Sequence, residues 1–258
     1  MTKPIEIYFH GIPGAPAELE LFGPGLNRNK RDFHFARRDL RGLKDDDHGY
    51  ELIAKDLRDR FPERSMRFVG FSLGAAAAIR TAPFAGDQVE QIDLVSPAAP
   101  LQLGRYLDDM AGAPVFRAAS HSKMLFNMLS WGQSILARTA PSQLYNAMFA
   151  AARGADQTVC EETHFKRTMI GLLKSSLGKN IDTYLYEIRS YVSDWSSTLN
   201  EVTQPVSILH GQMDNWCPVD MAKDLAFALP RCQTLQLLDD CSHYSTLRAY
   251  LERPTSDL

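Results

Sequence analysis

Apolar residues along this chain recur in two different rhythms, and the change between them divides it into parts. Short runs rich in β-branched and aromatic residues read as strands: IEIYFHG (5–11), FHFARRD (33–39), MRFVGFS (66–72), QIDLVSP (91–97), PVSILHG (205–211) and TLQLLDD (234–240). Several are almost unbroken in apolar residues, as expected of strands covered on both faces of a parallel sheet. Between them PAELELFGPGL, GYELIAKDLRDRF, AAAAIRTA and PVDMAKDLAFAL carry helical spacing, and Pro218 suits a first helical turn. Strands alternating with helices imply a parallel sheet joined by crossover helices.

From Pro97 to Ser193 the alternation stops. LGRYLDDMAG, SKMLFNMLSWGQSILAR, PSQLYNAMFAAAR, EETHFKRTMIGLLKSSL and DTYLYEIRSYVSDW read as helix after helix, punctuated at Gly112, Pro114, Pro141, Gly154 and Gly178. The expected organisation is an α/β core domain formed by residues 1–97 and 194–258, with residues 98–193 inserted as an all-helical cap. The cap's Met124, Leu125, Met128, Leu129, Trp131, Met148, Phe149, Met169, Leu172 and Leu173 are expected to pack its helices and to leave an apolar face over the core.

The 258 residues, 45% hydrophobic and 23% charged, suffice for one sizeable core with such an insertion. The net charge of −3, with Lys and Arg scattered singly, argues against nucleic acid as a partner. The N-terminus MTKPIEIYFHG lacks an apolar stretch of signal-peptide length, and no run of about 18 apolar residues occurs, so the sequence implies no membrane span and a cytoplasmic location. Cys160, Cys217, Cys232 and Cys241 form no C-x-x-C pair and suggest no zinc site; they read as reduced thiols, two of them near the candidate site. The acidic KDDDH (44–48) reads as a solvated loop rather than a metal site.

The candidate chemistry begins at GFSLG (70–74). A serine between the end of a buried strand and the start of a helix must turn the chain sharply, which strains its backbone and lifts Oγ above the sheet. Strand and helix then nearly collide, so the residues two before and two after must be small; they are Gly70 and Gly74. Leu73 opens the helix with a free N–H, one half of an oxyanion hole. The first strand ends in FHGIPGAP (9–16) on the same side of the sheet, which places the Ile12 N–H as the second donor, while His10 reads as a brace for that loop.

A serine hydroxyl needs a base, and the base needs an orienting acid. Asp214 lies just past the strand ending near His210, and His243 just past the last strand, giving the chain order Ser72, Asp214, His243. Asp220 reads instead as a residue of the following helix's first turn, Asp239 and Asp240 as the end of the last strand, Asp93 as facing a helix, and His210 as structural.

In HGIPG, GFSLGAAAA, DWSSTLNEVTQPVSILHGQMDNWCP and CSHY the sequence resembles the α/β-hydrolase superfamily, in the branch whose helical cap follows the sixth strand. The resemblance implies Ser72 as nucleophile, Asp214 as acid, His243 as base and Ile12 and Leu73 as oxyanion donors. It implies a mostly parallel sheet of about six strands, because the chain starts almost directly on the family's third strand. It further implies a serine hydrolase of carboxylesterase type acting on a small to medium, hydrophobic or acyl ester, without metal or organic cofactor. Thioester, lactone and carbon–carbon bond hydrolysis, and a non-catalytic ligand-binding role, remain open alternatives, and the apolar cap surface leaves a homodimer open.

Overall fold

The computed structural model describes residues 3–23, 26, 31–38 and 47–253. Six strands form one all-parallel sheet: β1 (Ile5–Phe9), β2 (Phe33–Phe35), β3 (Met66–Phe71), β4 (Val89–Val95), β5 (Val206–Gly211) and β6 (Cys232–Leu238), in the order β2-β1-β3-β4-β5-β6. These are the six apolar runs seen in the sequence. The central strands β1, β3, β4 and β5 are buried over most of their length, which is why their apolar runs are so nearly continuous. Since all strands are parallel, the ends of β1, β3 and β5 and the loops after them open on one rim.

Helices α1 (His48–Arg60), α2 (Leu73–Ala85), α9 (Val219–Ala228) and α10 (His243–Glu252) cover the sheet. The alanines of α2 have a physical reason: nearly the whole helix is buried against β1, β3, β4 and α1, where larger side chains would hold it away. Between β4 and β5 run α3 (Ala113–His121), α4 (Lys123–Thr139), α5 (Pro141–Phe149), the short α6 (Asp156–Val159), α7 (Thr163–Leu173) and α8 (Ile181–Val192), with a π-helical turn at Lys174–Lys179.

Two helix expectations need correction. Among its described residues PAELELFGPGL forms a 3₁₀ turn, Pro16–Glu20, because Glu18 is drawn inward onto the β1 loop and Gly23 takes a positive φ of 88°. LGRYLDDMAG gives a 3₁₀ turn at Leu101–Leu103 and then irregular chain, held by the Tyr106 hydroxyl donating to Asp224. The segment that does form a helix there, α3, lay between the runs picked out by spacing. Of KDDDH, residues 44–46 lie outside the described residues; Asp47 pairs with Arg80 at 2.6 Å.

A buried polar network ties the sheet to its last helix. Arg31 pairs with Glu6 at 2.7 Å and donates to the Tyr250 hydroxyl at 2.8 Å; Tyr250 donates to Asp93 at 2.7 Å, and Arg67 grips Asp93 at 2.7 and 3.0 Å. Asp93 thus faces α10, as strand alternation predicts. Each buried charge here has an opposite partner, the condition under which interior charges are tolerated.

Candidate functional site

Between the last residue of β3 and the first of α2 stands Ser72, with φ 56° and ψ −127°. For a residue with a Cβ this backbone costs on the order of 1–3 kcal/mol and persists only where surroundings enforce it. They do: its N–H donates to the Val95 carbonyl at 3.0 Å, and its carbonyl accepts from Ala75 at 3.0 Å and Ala98 at 3.2 Å. The need for small neighbours is equally concrete. A Cβ on Gly70 would lie 2.6 Å from the Cα of Ala75, and one on Gly74 would lie 2.1 Å from the carbonyl oxygen of Phe9.

The loop after β1 passes beside Ser72. Glu18, almost wholly buried, receives the Gly11 N–H at 2.9 and 3.2 Å and the Tyr8 hydroxyl at 2.7 Å. Burial pushes its carboxyl up to about 7, against the lowering pull of those donors, of Arg38 and of His243. Arg38 donates to His10 Nδ1 at 2.8 Å and to the His10 carbonyl at 2.7 Å, so His10 braces the loop. Ile12 and Leu73 line the same cavity as Ser72, and among the described residues neither N–H donates to another protein group.

Asp214 and His243 meet at the ends of β5 and β6: His243 Nδ1 lies 2.8 Å from Asp214 Oδ2, both side chains buried. The other Asp214 oxygen accepts from the backbone N–H of Trp216 at 2.8 Å and Cys217 at 2.9 Å. Burial alone would raise this carboxyl; the His243 and His210 imidazoles and the Cys217 N–H outweigh it and hold the group below the usual carboxylate range. His210, also buried, approaches Asp214 at 3.7 Å and reaches the Cys217 carbonyl at 2.8 Å, shaping the acid's loop. Asp220 sits in the first turn of α9 and bridges Lys223, while Asp239 accepts from Gln212; neither faces His243. The buried Cys217 thiol lines the same cavity as the Ser72 hydroxyl, and among the described residues no hydrogen bond joins that hydroxyl to His243.

Above Ser72 lies a cavity of about 360 Å³. Its floor is Ile12, Ser72, Leu73, Trp216 and Cys217, and its roof comes from α3, α4, α5 and α8, with Leu129, Leu144 and Met148 supplying apolar wall. Of the ten apolar residues singled out in this segment, Leu129 and Met148 line the cavity. Phe149, Met169, Leu172 and Leu173 are spent in packing, while Met124, Leu125, Met128 and Trp131 point to the outside. Among the described residues no group of His, Cys, Asp and Glu is arranged to hold a metal.

No family model and no curated protein matches this chain. Solved structures do. Bromoperoxidase from Bacillus anthracis superposes with a TM-score of 0.68 over 99% of this chain and 90% of its own, at 14% identity. An α/β hydrolase enzyme from a Medee basin deep-sea metagenome library superposes at 0.65 over 97% and 88%, at 14% identity. A thermophilic esterase from Thermogutta terrifontis superposes at 0.65 over 99% and 87%, at 16% identity. This chain has the α/β-hydrolase fold.

Within that fold, two supporting residues escaped sequence reading. Glu18 lies in what reads as one more surface helix, and nothing in its spacing says that it turns inward. Asp156, from the helical insertion, accepts from the N–H groups of Tyr244 at 3.0 Å and Ser245 at 2.7 Å and from the Ser245 hydroxyl at 2.6 Å, thereby capping α10 where His243 begins it. The α/β-hydrolase fold brings these groups to the rim from distant positions; no local pattern announces either. Among the described residues no helix is long and apolar enough to cross a membrane.

Proposed function

We propose that this protein is a serine hydrolase cleaving a carboxylic ester with a small to medium apolar acyl group. Residues 98–193 act as the cap over a core of residues 1–97 and 194–258. The observation that carries the reading is the strained Ser72 on the floor of an apolar cavity, with a buried Asp214–His243 pair 2.8 Å apart at the neighbouring strand ends.

The chemistry follows from the groups. Ser72 Oγ engages His243 Nε2 when substrate binds, since catalytic hydrogen bonds commonly close only once substrate is present. Ser72 Oγ then attacks the ester carbonyl while Nε2 takes its proton; Asp214 holds Nδ1–H and stabilises the imidazolium. The N–H groups of Ile12 and Leu73 receive the oxyanion, each such donor being worth roughly 10²–10³ in rate. The imidazolium returns its proton to the departing alkoxide, and water, deprotonated by the same nitrogen, releases the acid and restores Ser72. The chain's own side chains suffice for every proton transfer.

That no hydrogen bond joins Ser72 to His243 among the described residues favours one second reading, a ligand-binding homologue whose pocket no longer turns substrate over. One experiment separates the two. Wild type should hydrolyse p-nitrophenyl acyl esters and label with a fluorophosphonate probe, and Ser72→Ala should lose both. Turnover surviving Ser72→Ala would remove Ser72 from the mechanism, while a wild type that binds acyl ligands without labelling or turnover would establish the second reading.

A further inference from the structure

Helix α4 is apolar on the outside as well as the inside. Phe126, Ser130, Ser134 and Ala137 are buried, Leu129 and Gln133 line the cavity, and Met124, Met128, Trp131 and Ile135 stand in the open, 72, 65, 53 and 58% exposed. Their spacing of four, three and four residues keeps them on one face. Leu125 and Leu136 widen that face, which forms a shallow groove with Lys123 at its end. Water-facing helices do not ordinarily carry such a stripe.

Charge gives the stripe its partner. From Met110 to Ala155 the chain contains no Asp or Glu, but has Arg117, Lys123, Arg138 and Arg153. Residues 98–193 hold ten Lys and Arg against seven Asp and Glu, while the rest of the chain holds eighteen against twenty-four. The only ionisable residues of α4 itself are the cations near its ends, Lys123 and Arg138. The π-helical turn packed on α4 adds Lys174 and Lys179; on the acidic side Arg117 is paired with Asp108, and α8 brings Asp182. A second copy of the chain is poorly suited to this face. Pairing α4 with itself, in either direction, sets terminal cations against one another with no carboxylate on the helix to meet them.

We propose that the exposed face of α4 docks on an anionic lipid surface. The Met, Trp, Ile and Leu side chains enter the boundary between headgroups and acyl chains, and the flanking cations rest on headgroup phosphates. Only the thickness of α4 then separates the lipid from the cavity, because Leu129 and Gln133 belong to the same helix as Met128 and Trp131.

The test uses the intact protein and phosphatidylcholine vesicles with or without phosphatidylglycerol, read by co-sedimentation. Binding should require the anionic lipid and weaken with salt. Met128→Ser combined with Trp131→Ser, both at exposed positions, should lower partitioning at least about tenfold, and Lys123→Glu on the order of fivefold or more. Ser72→Ala should bind like wild type, so the outcome stands apart from the proposed catalysis. No sedimentation with anionic vesicles at low salt, or unchanged binding by the Met128/Trp131 variant, would overturn the proposal. So would light scattering that finds a dimer dispersed by that variant, which would assign the face to a second copy.

Discussion

The carboxylate of Asp156 accepts both the backbone N–H and the hydroxyl of Ser245, at 2.7 and 2.6 Å. A residue of the helical insertion thus anchors the first turn of the helix that begins at His243, together with the Tyr244 N–H. Asp156→Ala should leave buried donors unmet and cost about 1–3 kcal/mol of stability. Under the proposed mechanism kcat for a p-nitrophenyl ester should fall roughly 10- to 100-fold with KM little changed, since the imidazole loses its placement and not the substrate its pocket. Asp156→Asn, which keeps one acceptor, should recover part of the loss. Equal kcat for both variants and wild type would show that the contact only holds the fold.

Glu18 predicts a pH signature. Its carboxyl is raised from 4.5 to about 7 by burial, so ionisation costs more in the folded chain than in the unfolded one. A raised acid stabilises fully below its unfolded value, and the contribution is lost as pH rises through the folded value. Relative to Glu18→Gln, wild type should therefore lose stability between about pH 4.5 and 7, by on the order of 3 kcal/mol. Urea unfolding at several pH values reads this directly. A constant difference across that window would mean that Glu18 does not titrate there.

Two glycines give a paired prediction. Gly74→Ala puts a methyl 2.1 Å from the Phe9 carbonyl oxygen, and backbone on both sides must move. The variant should lose at least about 3 kcal/mol or fail to fold. Gly132→Ala, in the interior of α4 with nothing within 4 Å of the new Cβ, should be neutral or stabilising by up to about 1 kcal/mol. Thermal melts of the two rank them.

The proposed acyl specificity is open to reshaping from Leu129, which lines the cavity. Leu129→Trp should shorten the pocket and lower kcat/KM for an octanoyl ester relative to an acetyl ester by roughly 10-fold or more. An unchanged chain-length profile would move the acyl group elsewhere.

Much of this is legible in the amino-acid sequence. The six strands announced themselves because strands buried on both faces need unbroken apolar runs. The sharp turn at Ser72 was legible because the flanking glycines answer a steric demand that other residues cannot meet. His243 and Asp214, far apart in the chain, were expected to meet because both follow strands of one parallel sheet. What stayed hidden is tertiary. PAELELFGPGL has helical spacing, yet burying Glu18 under the β1 loop overrides it. In α4, apolar residues at helical spacing look the same whether they face a cavity, a core or solvent. Only the placement of Leu129 inward and Met128 outward distinguishes them.

The location of His243 on α10 has a consequence for the order of biosynthesis. Ser72 leaves the ribosome early and can reach its strained turn once β3, β4 and α2 have formed, but its prospective proton acceptor is translated some 170 residues later. Under the proposed mechanism a nascent chain therefore carries an unarmed hydroxyl over those residues, and hydrolytic power arrives only when α10 docks against its Asp156 anchor.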